Sequence, residues 1–113
     1  MTLIIGGKSA GKLDYVKSLG YAEEQISRDP GDDCPVLYGL QDKAAEDPEG
    51  AEALLPLLLK KEIVVCDEVG CGVIPLEKRD RQAREAIGRL CVLLAKNADG
   101  VVRVIAGIPT VIK

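Results

Sequence analysis

The sequence predicts a three-layer α/β fold: a small, mostly parallel sheet with helices on its faces, in one domain spanning residues 1–113. Three observations carry that expectation. A short apolar run, Leu3-Ile4-Ile5, leads directly into the glycine-rich stretch Gly6-Gly7-Lys8-Ser9-Ala10-Gly11-Lys12. Apolar strand-like segments then alternate with helix-like segments along the chain, the order expected of parallel strands joined by crossover helices. Finally, the core must be made of Leu, Ile, Val and Ala, because there is no Phe, no Trp and only three Tyr among 113 residues. Such aliphatic material suits parallel strands buried on both faces.

The glycine-rich stretch fits G-x-x-x-x-G-K, the phosphate-cradling loop of P-loop NTPases. Glycines let the backbone wrap so that successive N–H groups converge on an anion. Lys12 adds a point charge for the β- and γ-phosphates, and the following helix offers the positive end of its dipole. Candidate nucleotide-binding residues are therefore Gly6, Gly7, Lys8, Ser9, Ala10, Gly11, Lys12 and Leu13. Leu13 breaks the pattern, since the motif needs a Ser or Thr hydroxyl there for Mg²⁺ and leucine cannot ligate a hard cation. Local sequence leaves two readings open. The loop holds a nucleotide phosphate or other anion, or it is a glycine-rich βα turn serving only fold geometry.

The elements follow in order. Residues 2–5 form the first strand and 11–19 the first helix, with Tyr15, Val16 and Leu19 as its apolar face and Gly20 as a left-handed stop. Residues 21–27 read as another helical turn or two. Arg28-Asp29-Pro30-Gly31-Asp32-Asp33 is a turn cluster on solvent-facing chain. Residues 36–38 are a second strand. The stretch 41–46 is ambiguous. Asp47-Pro48-Glu49 starts a helix through Ala51, Leu54 and Leu55, with a cap, a proline at the first position and an acid in the first turn. Pro56 breaks it into two short segments or kinks it. Leu57-Leu58-Leu59 packs inward, and Lys60-Lys61 complements a helix C-terminus. Residues 62–66 are apolar enough for a central strand. Asp67-Glu68-Val69-Gly70-Cys71-Gly72 follows at its C-terminal end, where ligands sit in open α/β sheets. A long helix spans about 77–98, with Ala83, Ile87, Leu90, Cys91, Leu94 and Ala98 recurring at helical spacing. Its Arg81, Glu85 and Arg89 ladder reads as a solvated face. Residues 101–106 are the last strand, and Gly107-Ile108-Pro109 turns into a short tail. About four strands result.

A net charge of −3 and the lack of an aromatic stacking platform argue against nucleic-acid binding. No signal peptide or membrane-length apolar run is visible, so a cytoplasmic location is expected. The four cysteines, Cys34, Cys66, Cys71 and Cys91, are then expected to be reduced, and read as small buried hydrophobes rather than metal ligands. The chain contains no histidine, which removes every mechanism that needs an imidazole.

One family resembles this chain closely from Val65 onward. Val65-Cys66-Asp67-Glu68-Val69-Gly70-Cys71-Gly72-Val73-Ile74-Pro75 resembles its V-S-N-E-V-G-x-G-I-V-P. Arg81-Gln82-Ala83-Arg84-Glu85-Ala86-Ile87-Gly88-Arg89-Leu90 is similar to its R-x-F-R-D-x-x-G-R-L, and Val104-Ile105-Ala106-Gly107-Ile108-Pro109 with Lys113 to its V-V-A-G-L-P-x-x-x-K. Gly6 to Leu13 resembles its loop G-G-x-x-S-G-K-S. The family is the bifunctional adenosylcobinamide kinase/adenosylcobinamide-phosphate guanylyltransferase of cobalamin biosynthesis. The resemblance covers about half the chain. It implies a P-loop kinase fold, ATP or GTP as nucleotide, and a homotrimer with nucleotide sites near subunit boundaries. It also implies two reactions, phosphorylation of the aminopropanol hydroxyl of adenosylcobinamide and transfer of GMP from GTP through a guanylyl-histidine.

The departures from the family are chemical. The family is longer, and the part without a counterpart falls between the first helix and Pro35, where a strand, a helix and the guanylylated histidine belong. The family's V-D-C-L-T corresponds to Leu37-Tyr38-Gly39-Leu40-Gln41, so its acidic metal partner is Tyr38. The N-Q after the long helix's R-L is Cys91-Val92, and Leu13 replaces the metal-binding Ser. The phosphate cradle with Lys12 is kept while both Mg²⁺ contacts are lost, so no metal-binding residue is assigned. Two functions follow. One is a reduced kinase-like enzyme of the cobinamide pathway, lacking guanylyl transfer, with Lys12, Asp67 and Glu68 as candidate catalytic residues and Asp67 or Glu68 supplying the metal contact or the base. The other is a non-catalytic nucleotide- or corrinoid-binding subunit or assembly partner. Loop capping is the competing role for Asp67 and Glu68.

Overall fold

The computed structural model describes residues 1–68 and 77–113. In chain order the elements are β1 (Thr2–Gly6), α1 (Lys12–Ser18), a 3₁₀ turn (Glu23–Gln25), β2 (Ile26–Ser27), β3 (Val36–Leu37) and α2 (Leu40–Glu46). A second 3₁₀ turn (Ala51–Leu54), α3 (Leu55–Leu58), β4 (Ile63–Asp67), α4 (Lys78–Asn97), β5 (Gly100–Ile105) and β6 (Ile108–Val111) complete the order. One sheet joins the strands as β2-β3-β4-β1-β5-β6. β2 to β5 and β1 pair in parallel, and β6 runs antiparallel to β5. The architecture is the expected three-layer α/β arrangement.

The period-2 alternation of strand side chains divides the core between the two faces. Leu3, Leu37, Val64 and Cys66 point to one face, where α2 and α4 cover them with Leu40, Ala44, Ile87, Leu90 and Leu94. Ile4, Val36, Ile63, Val65, Val102 and Val104 point to the other, where Val16 of α1 packs. β4 is buried from Ile63 to Cys66, which accounts for its uninterrupted apolar run.

Several elements differ from the sequence expectation. The sheet has six strands among the described residues rather than about four. Residues 21–27 give one 3₁₀ turn and then β2, because Ile26 and Ser27 pair with Val36 and Leu37 at the sheet edge. The tail after Gly107 is β6. Ala106 and Gly107 both take positive φ (50° and 77°), as a two-residue hairpin turn of the type I′ kind requires. The stretch 41–46 lies in α2, whose N-cap Gly39 is left-handed at φ 78°. Asp47 begins no α-helix; its carboxylate accepts the Gly50 N–H at 3.2 Å, and regular structure starts at Ala51. Pro56 stands in the first turn of α3, so the predicted break becomes the junction between 3₁₀ and α geometry. Of Leu57, Leu58 and Leu59, Leu58 alone is fully buried, and Leu57 is exposed. Lys61 is no helix-terminal surface charge. Its buried ammonium donates to the Asp32 carboxylate (2.9 Å) and to the carbonyls of Asp32 (2.8 Å) and Cys34 (2.7 Å), pinning the turn before β3 to the end of α3. Val69 to Leu76, which includes Gly70, Cys71 and Gly72, lie outside the described residues.

Candidate functional site

The site is built on the C-terminal ends of β1, β3 and β4. β1 ends at Gly6, where a Cβ would lie 2.6 Å from the Val104 carbonyl oxygen of β5 and 3.2 Å from Cγ of Lys12. Only glycine fits between a neighbouring strand and the lysine stem. The chain then turns back on itself, with the Ala10 N–H donating to the Gly7 carbonyl at 3.1 Å. Ser9 and Gly11 adopt left-handed φ (61° and 91°). A non-glycine residue rarely holds that conformation, so the strain at Ser9 belongs to the loop's shape. The hairpin turn braces the loop from outside: the Gly107 N–H donates to the Ala10 carbonyl at 2.8 Å, and Gly107 Cα sits 3.1 Å from where a Gly11 Cβ would be.

Lys12 opens α1 with its side chain 4% exposed. Its ammonium donates to the Gly7 carbonyl at 2.6 Å and pairs with the Asp67 carboxylate at 2.7 Å. Asp67 reaches it because β4 lies beside β1 in parallel register, Gly6 opposite Asp67. The Asp67 N–H donates to the side-chain oxygen of Gln41 at 3.1 Å, tying β4 to α2. Glu68 points elsewhere: its N–H donates to the Gly6 carbonyl (2.7 Å), and its carboxylate takes two hydrogen bonds from Arg103 (2.6 and 3.0 Å). Such a fork is strong and fixes the orientation of both groups.

A cavity of about 560 Å³ opens over the loop. Residues 8–14 form one wall, and Arg28, Tyr38, Gln41, Asp42 and Asp67 form the other. That volume is within the range of small-molecule sites. The Arg28 guanidinium lies 4.9 Å from the Tyr38 ring centroid and pairs with Asp42 at 3.1 Å. A smaller, mainly apolar cavity of about 230 Å³ shares Leu13, Arg28 and Tyr38 with the first and continues along Ile26 and Lys17.

Lys8 to Leu13 and Asp67 thus come together around one cavity, whereas Gly6 and Gly7 are not among the residues lining it. Glu68, next to Asp67 in sequence, is not among them either. Arg28, Gln41 and Asp42 are additions that sequence reasoning missed. Arg28 reads as part of a solvent-facing turn, and Gln41 as part of an ambiguous stretch. The available signal was Gly39, a glycine shortly after a strand, which takes a left-handed φ at the start of α2, at the strand-end side of the sheet where ligands sit.

Lys8, Lys12 and Arg28 bring positive charge to the cavity lining, and Asp14, Asp42 and Asp67 bring carboxylates. Leu13 offers no oxygen, Tyr38 only a phenol, and the Asp42 and Asp67 carboxylates are engaged by Arg28 and Lys12. Among the described residues no group of three or more His, Cys, Asp or Glu side chains is placed to hold a metal ion. No helix among them is long and apolar enough to cross a membrane.

The model of one protein family, described as cobinamide kinase / cobinamide phosphate guanyltransferase, matches residues 36–112. The chain belongs to this family. The match begins at β3 and runs through β6, so it includes Tyr38, Gln41, Asp42, Asp67 and Glu68 and stops short of the loop before α1. No curated protein matches the chain. Family membership supports a kinase- or guanyltransferase-like role in cobalamin biosynthesis and a general association with nucleotides.

Proposed function

We propose that residues 6–13 hold the phosphates of ATP or GTP, and that this family member binds nucleotide without transferring a guanylyl group. The observation that carries the reading is the nearly buried Lys12 ammonium. It sits under a tight loop that opens into a polar cavity, with Asp67 from the adjacent strand as its counter-charge. An anion entering the cavity meets that ammonium and the loop N–H groups. Guanylyl transfer in this family passes through histidine, as the resemblance implies, and the chain has none.

For phosphoryl transfer the metal is the difficulty. Mg²⁺ bridging the phosphates neutralises the charge that develops in the transition state. The positions that resemblance assigns to its ligands are Leu13 and Tyr38. This favours a binding subunit, with a corrinoid or a second chain as its further partner, over a kinase. The kinase reading rests on Asp67, whose carboxylate lines the cavity; it would have to leave Lys12 to take a metal or accept a proton.

Calorimetry with GTP and ATP, with and without Mg²⁺, tests the proposal. Weak triphosphate binding that Mg²⁺ strengthens little is expected. Efficient Mg²⁺-dependent phosphorylation of adenosylcobinamide by the unmodified protein would overturn the non-catalytic reading.

A further inference from the structure

Cys66 and Cys91 are far apart in sequence and adjacent in space. Cys66 is fully buried on β4 and faces α4; Cys91 is partly buried on the helix. Their sulfurs are 3.8 Å apart and share a hydrogen bond, and the Cys66 thiol also lies 3.3 Å from the carbonyl of Asp67. Cys34, whose Sγ contacts the Glu24 carbonyl at 3.5 Å, belongs to another part of the fold.

We infer that Cys66 and Cys91 are a reversible disulfide-forming pair, oxidised by a small hydroperoxide. A disulfide needs a sulfur separation of about 2.05 Å, so the sulfurs must approach from their 3.8 Å contact. Cys91 is the less buried of the two and reacts first. Its thiolate attacks one peroxide oxygen, the O–O bond breaks, and the released hydroxide takes up a proton to leave as water. Cys91 is then a sulfenic acid. Cys66 loses its proton and attacks that sulfur. The S–O bond breaks, a second water leaves, and the S–S bond forms. In sum, two thiols and one hydrogen peroxide give one disulfide and two waters.

The local chemistry assigns the same roles. The hydrogen bond between the two thiols holds Cys91 below its ordinary range, whereas the same hydrogen bond and burial push the Cys66 thiol up. Thiolate character and access both mark Cys91 as the attacking sulfur. The bond would tie α4 to β4 one residue before Asp67, so the redox state of the pair is registered next to the cavity.

The test uses the full chain, treated with a slight excess of hydrogen peroxide, quenched, digested without reductant and analysed by mass spectrometry. The expected result is a linked peptide pair containing Cys66 and Cys91, an intact mass lower by two hydrogens, and reversal by dithiothreitol. Cys34→Ser should leave the link intact, and Cys91→Ser should abolish it. A dominant link through Cys34 or Cys71, or sulfinic acid at Cys91 with Cys66 still a free thiol, would overturn the inference. The unsubstituted chain alone decides between these outcomes, so a variant that fails to fold does not obscure them.

Discussion

Asp67→Asn should weaken the fold and tighten phosphate binding. The Lys12 ammonium has three hydrogens; one goes to the Gly7 carbonyl at 2.6 Å and one to Asp67 at 2.7 Å. A phosphate oxygen taking the third would lie roughly 4.5 Å from the Asp67 carboxylate, by tetrahedral geometry at the nitrogen. Two unit charges at that distance repel by about 1–4 kcal/mol for effective dielectric constants between roughly 80 and 20. Salt screening trims the upper end, and about 1–3 kcal/mol corresponds to an affinity gain of about fivefold to 150-fold. Asparagine keeps the shape and an acceptor oxygen, and it is the residue in the family pattern that Cys66-Asp67-Glu68 resembles. Without ligand, however, the buried ammonium loses its counter-charge, which should cost about 1–3 kcal/mol of stability. Calorimetry with GTP at fixed ionic strength measures the first effect and urea unfolding the second. Lys12→Ala is the control and should lose about 1.5–3 kcal/mol of binding, the range for charge-assisted hydrogen bonds. A folded Asp67→Asn protein that binds GTP no better, or more weakly, would refute the reasoning and make Asp67 a ligand-binding group in its own right.

Four further outcomes are expected. Incubation with GTP labelled at the α-phosphate should leave no acid-labile phosphoramidate on the protein; a stable guanylyl adduct, on lysine for example, would contradict this. Leu13→Ser should increase the Mg²⁺ dependence of nucleotide binding by supplying one hydroxyl ligand, without creating a kinase while position 38 is Tyr; calorimetry and the adenosylcobinamide assay check the two halves. Hydrogen bonding from Ser27 and the Lys61 ammonium hold the Asp32 carboxyl at about 2, below its ordinary 3.8; the stability it contributes is therefore present above pH 4 and lost as pH falls towards 2. Asp32→Asn should flatten the fall of the thermal midpoint in that window. Light scattering should find a homo-oligomer, a trimer by family resemblance. Ile108 and Val111 of β6 and Ile112 just after it are more than half exposed at the sheet edge, and a monomer at micromolar concentration would count against the assembly.

The sequence made some elements plain and hid others for identifiable reasons. β1, β4 and β5 are apolar runs bounded by polar or glycine residues, and α4 repeats its apolar side chains over five turns' worth of chain, so pattern alone locates them. β2 is two residues long and exists because Val36 and Leu37 offer it a partner; nothing local announces it. β6 contains Pro109 and has no buried residue, which reads as a tail. It is a strand because the Ala106-Gly107 turn folds it back on β5, and Ala at φ 50° is not a residue from which one predicts such a turn. At the site, the glycine spacing pointed to Lys12, and the strand-end rule pointed to Asp67. Arg28, Gln41 and Asp42 come from the ends of neighbouring elements, and only the sheet order brings them to the same cavity. Of the cysteines read as buried, Cys66 is, while Cys34 and Cys91 are only partly buried, and the Cys66–Cys91 contact was not legible because it depends on how α4 lies across β4.

Charge pairing around the loop bears on the behaviour proposed for the site. Lys12 holds Asp67, Arg28 holds Asp42, and Arg103 holds Glu68. The carboxylates of Asp42, Asp67 and Glu68 therefore each already have a cation, which a Mg²⁺ ion binding there would have to displace, whereas Asp14 at the start of α1 also lines the cavity. Displacement at Asp67 leaves a nearly buried ammonium with only a carbonyl for company, a change of several kcal/mol in an environment of low dielectric. Displacement at Glu68 gives up a two-point fork with Arg103. A phosphate makes a smaller demand: it shares the Lys12 ammonium and leaves Asp67 in place, at the cost of one carboxylate–phosphate repulsion. On the proposed reading, the pairing at Asp67 and Glu68 opposes a metal at those two carboxylates more strongly than it opposes an anion at Lys12.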